Sequence, residues 1–141
     1  MDDEVKQLKI LVENGLAGVY KKKTYFVMAE NNFIKNPKYT MSHKMVYLCL
    51  STYSGAVSSC FPSKSTMSKD LNTSVKTIER VLKQLQVLGA IIIVNQITEN
   101  NRMTSNLYIL SDIDKDTGNF IPESIEKFKE LSEGSIKIQG K

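Results

Sequence analysis

Phe61-Pro62-Ser63-Lys64-Ser65-Thr66-Met67-Ser68-Lys69-Asp70-Leu71-Asn72-Thr73-Ser74-Val75-Lys76-Thr77-Ile78-Glu79-Arg80 contains two helix starts separated by one tight turn. Ser63 opens a short helix carrying Met67 and Leu71, spaced as one helical face requires. Leu71-Asn72-Thr73 makes the turn, because asparagine tolerates the left-handed backbone better than most residues other than glycine. Ser74 then caps a longer helix that reaches Leu88, and Gly89 stops it in the left-handed position. Val75, Ile78, Val81, Leu82, Leu85 and Leu88 recur with the helical period and are predicted to face a core. Lys76, Thr77, Arg80, Lys83 and Gln84 fall on the other side, so the outer face is polar and basic.

Downstream, Ala90-Ile91-Ile92-Ile93-Val94-Asn95-Gln96-Ile97 and Asn106-Leu107-Tyr108-Ile109-Leu110 are β-rich runs joined by the polar loop Thr98 to Thr104, which predicts a hairpin with a basic tip. Upstream, Ser42 is expected to cap a helix with Met41 stapled onto Val46, and Met45, Leu48, Cys49 and Tyr53 share its predicted buried face. Ser54-Gly55 ends that helix, and Phe61 is expected to plug the core. Thr24-Tyr25-Phe26-Val27-Met28 reads as an edge strand, and Asn31-Asn32 and Asn36-Pro37 as turns around Phe33-Ile34. Asp2 to Gly15 repeats Val5, Leu8, Leu11 and Val12 as an amphipathic helix does. At the other end an acidic linker with Asx turns leads into a helix begun by Pro122, whose Ile125, Phe128 and Leu131 are expected to pack on the domain or on a second copy.

The whole chain of 141 residues suits one compact domain with extensions, and its 41% hydrophobic content supports a core without metals or disulfides. Cys49 and Cys60 lack CxxC spacing and read as reduced thiols in the core. No apolar run approaches the roughly 20 residues a bilayer requires, and the acidic start Met1-Asp2-Asp3-Glu4 is unlike a secretion signal, so a cytoplasmic location, in the bacterial cytoplasm or nucleoid, is expected. The end helices carry many acids, which anionic lipids repel, so no membrane partner is expected. Net charge is +4, but positions 21 to 104 hold twelve Lys or Arg against four acids. A basic middle between acidic ends suits a polyanion-binding domain whose flanks stay clear of the polyanion.

Asp112, Asp114, Asp116 and Glu123 match positions 1, 3, 5 and 12 of a calcium loop, yet Thr117 stands where the loop needs glycine and a strand precedes it, so no metal is assigned. His43 has no paired carboxylate, nucleophile or second metal ligand at a meaningful spacing, and no glycine loop cradles phosphate; neither a cofactor nor an enzymatic activity is expected.

Two helices joined by a short turn and followed by a hairpin follow the order of a winged helix-turn-helix. The segment Phe61 to Arg80, with Leu85 and Leu88-Gly89 behind it, resembles the helix-turn-helix family of plasmid and phage replication initiators and related regulators. Met41-Ser42-His43-Lys44-Met45-Val46-Tyr47-Leu48 resembles that family's first helix, and the likeness spans roughly positions 25 to 110. Ser68 stands where a small alanine is usual and Thr73 where an apolar residue is usual. The resemblance implies a DNA-binding module, often of mobile genetic elements.

The expected architecture is therefore α+β: a three-helix core plus a two-stranded hairpin wing, with an added helix at each end. Residues 1–23 form the N-terminal helix and basic linker, 24–111 the DNA-binding domain, and 112–141 the acidic linker and last helix. On the second helix Ser74, Lys76, Thr77, Arg80, Lys83 and Gln84 are the DNA-binding candidates: Lys76, Thr77 and Arg80, in its first two turns, for base edges, and Lys83 and Gln84 for phosphates or flanking bases. Ser63, Lys64 and Ser65 offer amides, hydroxyls and charge to a phosphate, while Asn100, Asn101, Arg102 and Thr104 belong to the wing, whose tip suits a minor groove. Double-stranded DNA is the expected partner, in replication initiation or maintenance of a plasmid or phage. A transcriptional regulator and a winged-helix protein-docking module stand as alternatives, and a homodimer or contacts with replication or transcription proteins stay open.

Overall fold

The computed structural model describes residues 3–14, 26–54, 58–98, 100, 102, 104–133 and 135–137. Its helices are α1 (Asp3–Glu13), α2 (Asn31–Ile34), α3 (Met41–Thr52), α4 (Lys64–Asp70) and α5 (Val75–Val87). Its strands are β1 (Ser59–Cys60), β2 (Ile91–Ile97), β3 (Leu107–Leu110), β4 (Asp112–Ile113), β5 (Phe120–Ile121) and β6 (Ser135–Lys137), with 3-10 segments at Pro122–Ser124 and Glu126–Glu133. One sheet runs β1-β3-β2-β6, and β4 pairs with β5 in a second. The expected antiparallel pairing of β2 with β3 is present, with Ile91 opposite Leu110 and Val94 opposite Leu107. Strand β6 joins the other side of β2 in parallel.

Successive strand residues point to opposite faces, and here both faces are covered, which is why the middle of β2 is apolar almost throughout. Ile91, Tyr108 and Leu110 join the buried residues of α3, α4 and α5 in the first core. Ile92, Val94, Leu107 and Ile109 join a second core with Val5, Leu8 and Val12 of α1 and with Ile125, Phe128 and Leu131. The C-terminal apolar residues therefore pack on their own domain, and Lys127 Nζ lies 2.7 Å from Glu4 Oε2 across the two ends.

An aromatic cluster anchors the first core: Phe33 lies edge-on to Tyr47 and Phe120, at ring-centroid distances of 5.6 and 5.3 Å, and Tyr39 meets Phe120 at 4.5 Å. The backbone N–H of Phe120 donates to Tyr39 Oη at 3.0 Å, and the Tyr47 hydroxyl donates to Ser111 O at 2.6 Å. Burial pushes the Tyr47 hydroxyl far above its ordinary pKa, so it stays a donor. Asn36 Nδ2 donates to Gly118 O and Asn119 Oδ1, and Asn32 Nδ2 donates to Lys115 O. Gly118 adopts φ 74°, and a Cβ there would strike the backbone carbonyl of Asn32, so this close approach requires glycine.

Several expectations are corrected. Thr40, not Ser42, caps α3: its hydroxyl accepts from His43 N–H while His43 Nδ1 accepts from Thr40 N–H, both at 3.1 Å. Ser42 has Met45 three residues on, which offers no acceptor for that reciprocal bond. Met41 consequently lies in the first turn, 81% exposed, with no staple role. The buried face of α3 is Val46, Tyr47, Cys49 and Leu50, because the sheet and Phe33 approach from that side; Met45 and Tyr53 are exposed. Phe26 to Met28 form no strand: the segment pairs with neither sheet, and Phe26 and Met28 are 66% and 86% exposed. Thr24 and Tyr25 lie outside the described residues.

Phe33-Ile34 belongs to a helical turn of its own, α2, and Phe61 is half-buried against the second core rather than plugging the first. Val75 is 38% exposed, so the buried stripe of α5 begins at Ile78. The acidic linker folds as β4, a turn and β5. There Asp114 Oδ1 accepts from the amides of Asp116 and Thr117, which hold its carboxyl below the usual range. Pro122 begins a 3-10 turn, and Glu126–Glu133 stays 3-10 rather than α-helical.

Candidate nucleic-acid interface

The local sequence builds α4 and α5 with the same device twice. Ser63 Oγ accepts from Thr66 N–H at 3.0 Å and Ser74 Oγ accepts from Thr77 N–H at 3.1 Å, each satisfying an otherwise orphaned amide. Between them Asn72 takes φ 51°, and Thr73 N–H donates to Ser68 O at 2.9 Å, so the two departures from the usual pattern meet each other through backbone. Met67 and, on α5, Ile78, Val81, Leu82 and Leu85 are buried, which fixes the rotation of both helices on the sheet. Gly89 closes α5 at φ 77°, with Pro122 packed where its Cβ would stand.

That rotation leaves Lys76, Arg80, Lys83 and Gln84 exposed on one side of α5, as the periodicity expects. Thr77 is half-buried; its hydroxyl accepts from Ser74 Oγ at 3.0 Å, so both hydroxyls serve the cap. Ser63 is likewise tied to its cap, donating to Thr66 Oγ1 at 2.8 Å. Ser65 is exposed, and its carbonyl accepts from Ser68 Oγ. Lys64 Nζ lies 3.9 Å from Glu79 Oε1, an ion pair of two half-exposed side chains that links α4 to α5. Such a pair is loose in water and yields to a stronger anion.

In the β2–β3 loop, Thr98 N–H donates to Arg102 O at 2.8 Å, and Arg102 N–H donates to Thr98 Oγ1 at 3.2 Å. Thr104 N–H donates to Gln96 O at 3.1 Å, and the buried Gln96 sends its amide to Ser105 O. Asn100 and Arg102 are exposed and Thr104 is half-buried, while Asn101 lies outside the described residues. Among the described residues no three of His, Cys, Asp and Glu form a metal-holding group, and no helix is long and apolar enough to cross a membrane.

Sequence reasoning assigned His43 nothing, yet its Nε2 lies 2.9 Å from Gln84 Oε1 on the outer face of α5. The signal was the threonine three residues before a side chain able to accept, a capping box with histidine in the place of glutamate or glutamine. Lys44, beside it, donates to Ile34 O at 2.8 Å and so joins α3 to α2.

Two capped helices around a left-handed asparagine, with a third helix behind them, have a counterpart among known families. Residues 40–91 match the family model of a helix-turn-helix domain. No curated protein and no solved structure matches the chain. The matched stretch runs from the cap of α3 to the first residue of β2. In helix-turn-helix domains the second helix of the pair lies in the major groove while the first crosses the backbone; the paired helices of the matched stretch are α4 and α5.

Proposed function

We propose that this chain is a sequence-specific double-stranded DNA-binding protein that inserts α5 into the major groove. One observation carries the reading: α5 buries a continuous apolar stripe and turns Lys76, Arg80, Lys83 and Gln84 outward together. Lys76, Thr77 and Arg80, nearest the helix start, contact base edges, with arginine placed to pair bidentately with guanine. Lys83, Gln84 and the start of α4 at Ser63, Lys64 and Ser65 contact phosphates, and Lys64 exchanges Glu79 for a phosphate oxygen. The β2–β3 hairpin acts as a wing, laying Asn100, Arg102 and Thr104 along the backbone. The resemblance of Phe61 to Arg80 to replication initiators supports a role in replication initiation or maintenance of a plasmid or phage.

Titration of labelled duplexes over a range of salt concentrations tests this. Affinity falls steeply as salt rises, since bound phosphates release counterions. Arg80→Ala costs about 1–3 kcal/mol at the preferred site and relaxes sequence preference, whereas Lys64→Ala weakens all duplexes evenly. Absence of duplex binding at low salt overturns the proposal. Recovery of bound sequences from a random pool separates the roles: tandem repeats support replication, and a promoter palindrome turns the reading to transcription.

A further inference from the structure

The contact between His43 and Gln84 joins the cap of α3 to the outer face of α5, and its polarity is fixed by a backbone group. Thr40 N–H donates to His43 Nδ1 at 3.1 Å, and a ring nitrogen that accepts from an amide carries no proton. In the neutral ring the proton is therefore on Nε2, which donates to Gln84 Oε1 at 2.9 Å. Gln84 then has its carbonyl end held toward α3 and its NH2 end turned away from it. An exposed glutamine ordinarily samples both orientations, so the tether settles an ordering cost before any ligand arrives.

The position along α5 says what that NH2 group meets. Gln84 comes nine residues after Val75, about 13.5 Å along the axis. In a helix that lies in the major groove and reads bases with its N-terminal residues, Gln84 is thus about two and a half turns past the base-reading end, where the phosphates that flank the groove are the nearer partners. We infer that His43 is a positioning residue which aims the side-chain NH2 of Gln84 at a phosphate oxygen of bound duplex DNA. This rests on the reading of α5 as the DNA-contacting helix. Lys83, the neighbouring cation, needs no such aiming, because a point charge attracts phosphate from any direction.

The test uses the full chain and a fluorescein-labelled 20-base-pair duplex of random sequence, since a phosphate contact does not depend on sequence. Gln84→Ala weakens binding about tenfold or more, as loss of a hydrogen bond to a charged group does, His43→Ala weakens it about fivefold, as loss of the prior ordering of one side chain does, and the double variant binds no more weakly than Gln84→Ala alone. His43→Gln keeps an acceptor for Thr40 N–H and a donor for Gln84, and stays within about twofold of the parent protein. A His43→Ala loss that persists on the Gln84→Ala background overturns the inference, because His43 would then act through the helix cap. Nitrogen-15 spectra of the His43 ring in the DNA-free protein show the Nε2–H tautomer; the Nδ1–H tautomer overturns the inference while leaving DNA binding untouched. Failure of the parent protein to bind any duplex at low salt instead removes the DNA reading, and the proposed contact falls with it.

Discussion

One face of the central sheet is covered by α3, α4 and α5, which follow one another along the chain, and the other by α1 and the 3-10 segment Glu126–Glu133, the two ends of the chain. Each helix of the first layer carries its own capping hydroxyl, from Thr40, Ser63 and Ser74. The second layer draws its order from burial: a 3-10 segment of this length has poor hydrogen-bond geometry and persists here because Phe128 and Leu131 sink between α1 and the sheet. The layer that presents the proposed DNA contacts is thus locally specified, and the layer that supports it is tertiary.

The largest expected effects set the two layers against each other. Phe33→Ala empties the aromatic cluster and costs about 3–5 kcal/mol, and Leu8→Ala, in the second core, costs about 2–5 kcal/mol, both read from the denaturant midpoint. The comparison predicts a difference in function: at a temperature where both variants are folded, Leu8→Ala binds duplex DNA as the parent does, and Phe33→Ala binds more weakly because α3 and α5 shift. Equal loss in both variants would break the distinction between the layers.

A middle-sized effect sharpens the claim that the first layer is locally specified. Ser74→Ala removes the acceptor for Thr77 N–H and lowers stability by about 1 kcal/mol, while Ser74→Gly costs only a few tenths. Thermal melts of the two variants order as alanine below glycine below parent.

The smallest effect distinguishes two thiols within the first core. Burial, followed by the Asp70 carboxylate, pushes the Cys49 thiol up to about 11, and burial pushes Cys60 higher still. Thiolate at pH 8 is therefore about a hundredfold scarcer at Cys49 than in an open thiol, and alkylation of the folded protein is slowed accordingly. The rate at Cys49 rises about tenfold per pH unit until its pKa is reached. Asp70→Asn, which removes the neighbouring charge, lowers that pKa and speeds the reaction at Cys49 while leaving Cys60 slow. Mass spectrometry of the two sites reads the outcome.

Legibility followed the range of the interactions. Ser63, Asn72, Ser74 and Gly89 act within a few residues of themselves, and each stands where the sequence places it. The exposed cations of α5 follow from the helical period once Ile78, Val81, Leu82 and Leu85 are seen to face inward. Ser42 misled because serine is a common cap, whereas the choice of Thr40 depended on a histidine ring accepting a bond three residues later. Phe26 to Met28 misled because strand composition produces a strand only where tertiary packing sets the segment beside a neighbour, and here it pairs with neither sheet.

By itself the amino-acid sequence determined the paired helices, the turn between them, the antiparallel pairing behind them and the polar face they display, because caps, periods and turns are decided by neighbours in the chain. Tertiary structure alone decided that the two ends meet beneath the sheet, that β6 lies parallel to β2, that Asn32 and Asn36 hold the β4–β5 turn, and that His43 reaches Gln84. Those contacts join residues far apart in the chain, and their partners are specified by the packing of the sheet between its two covers rather than by any local preference.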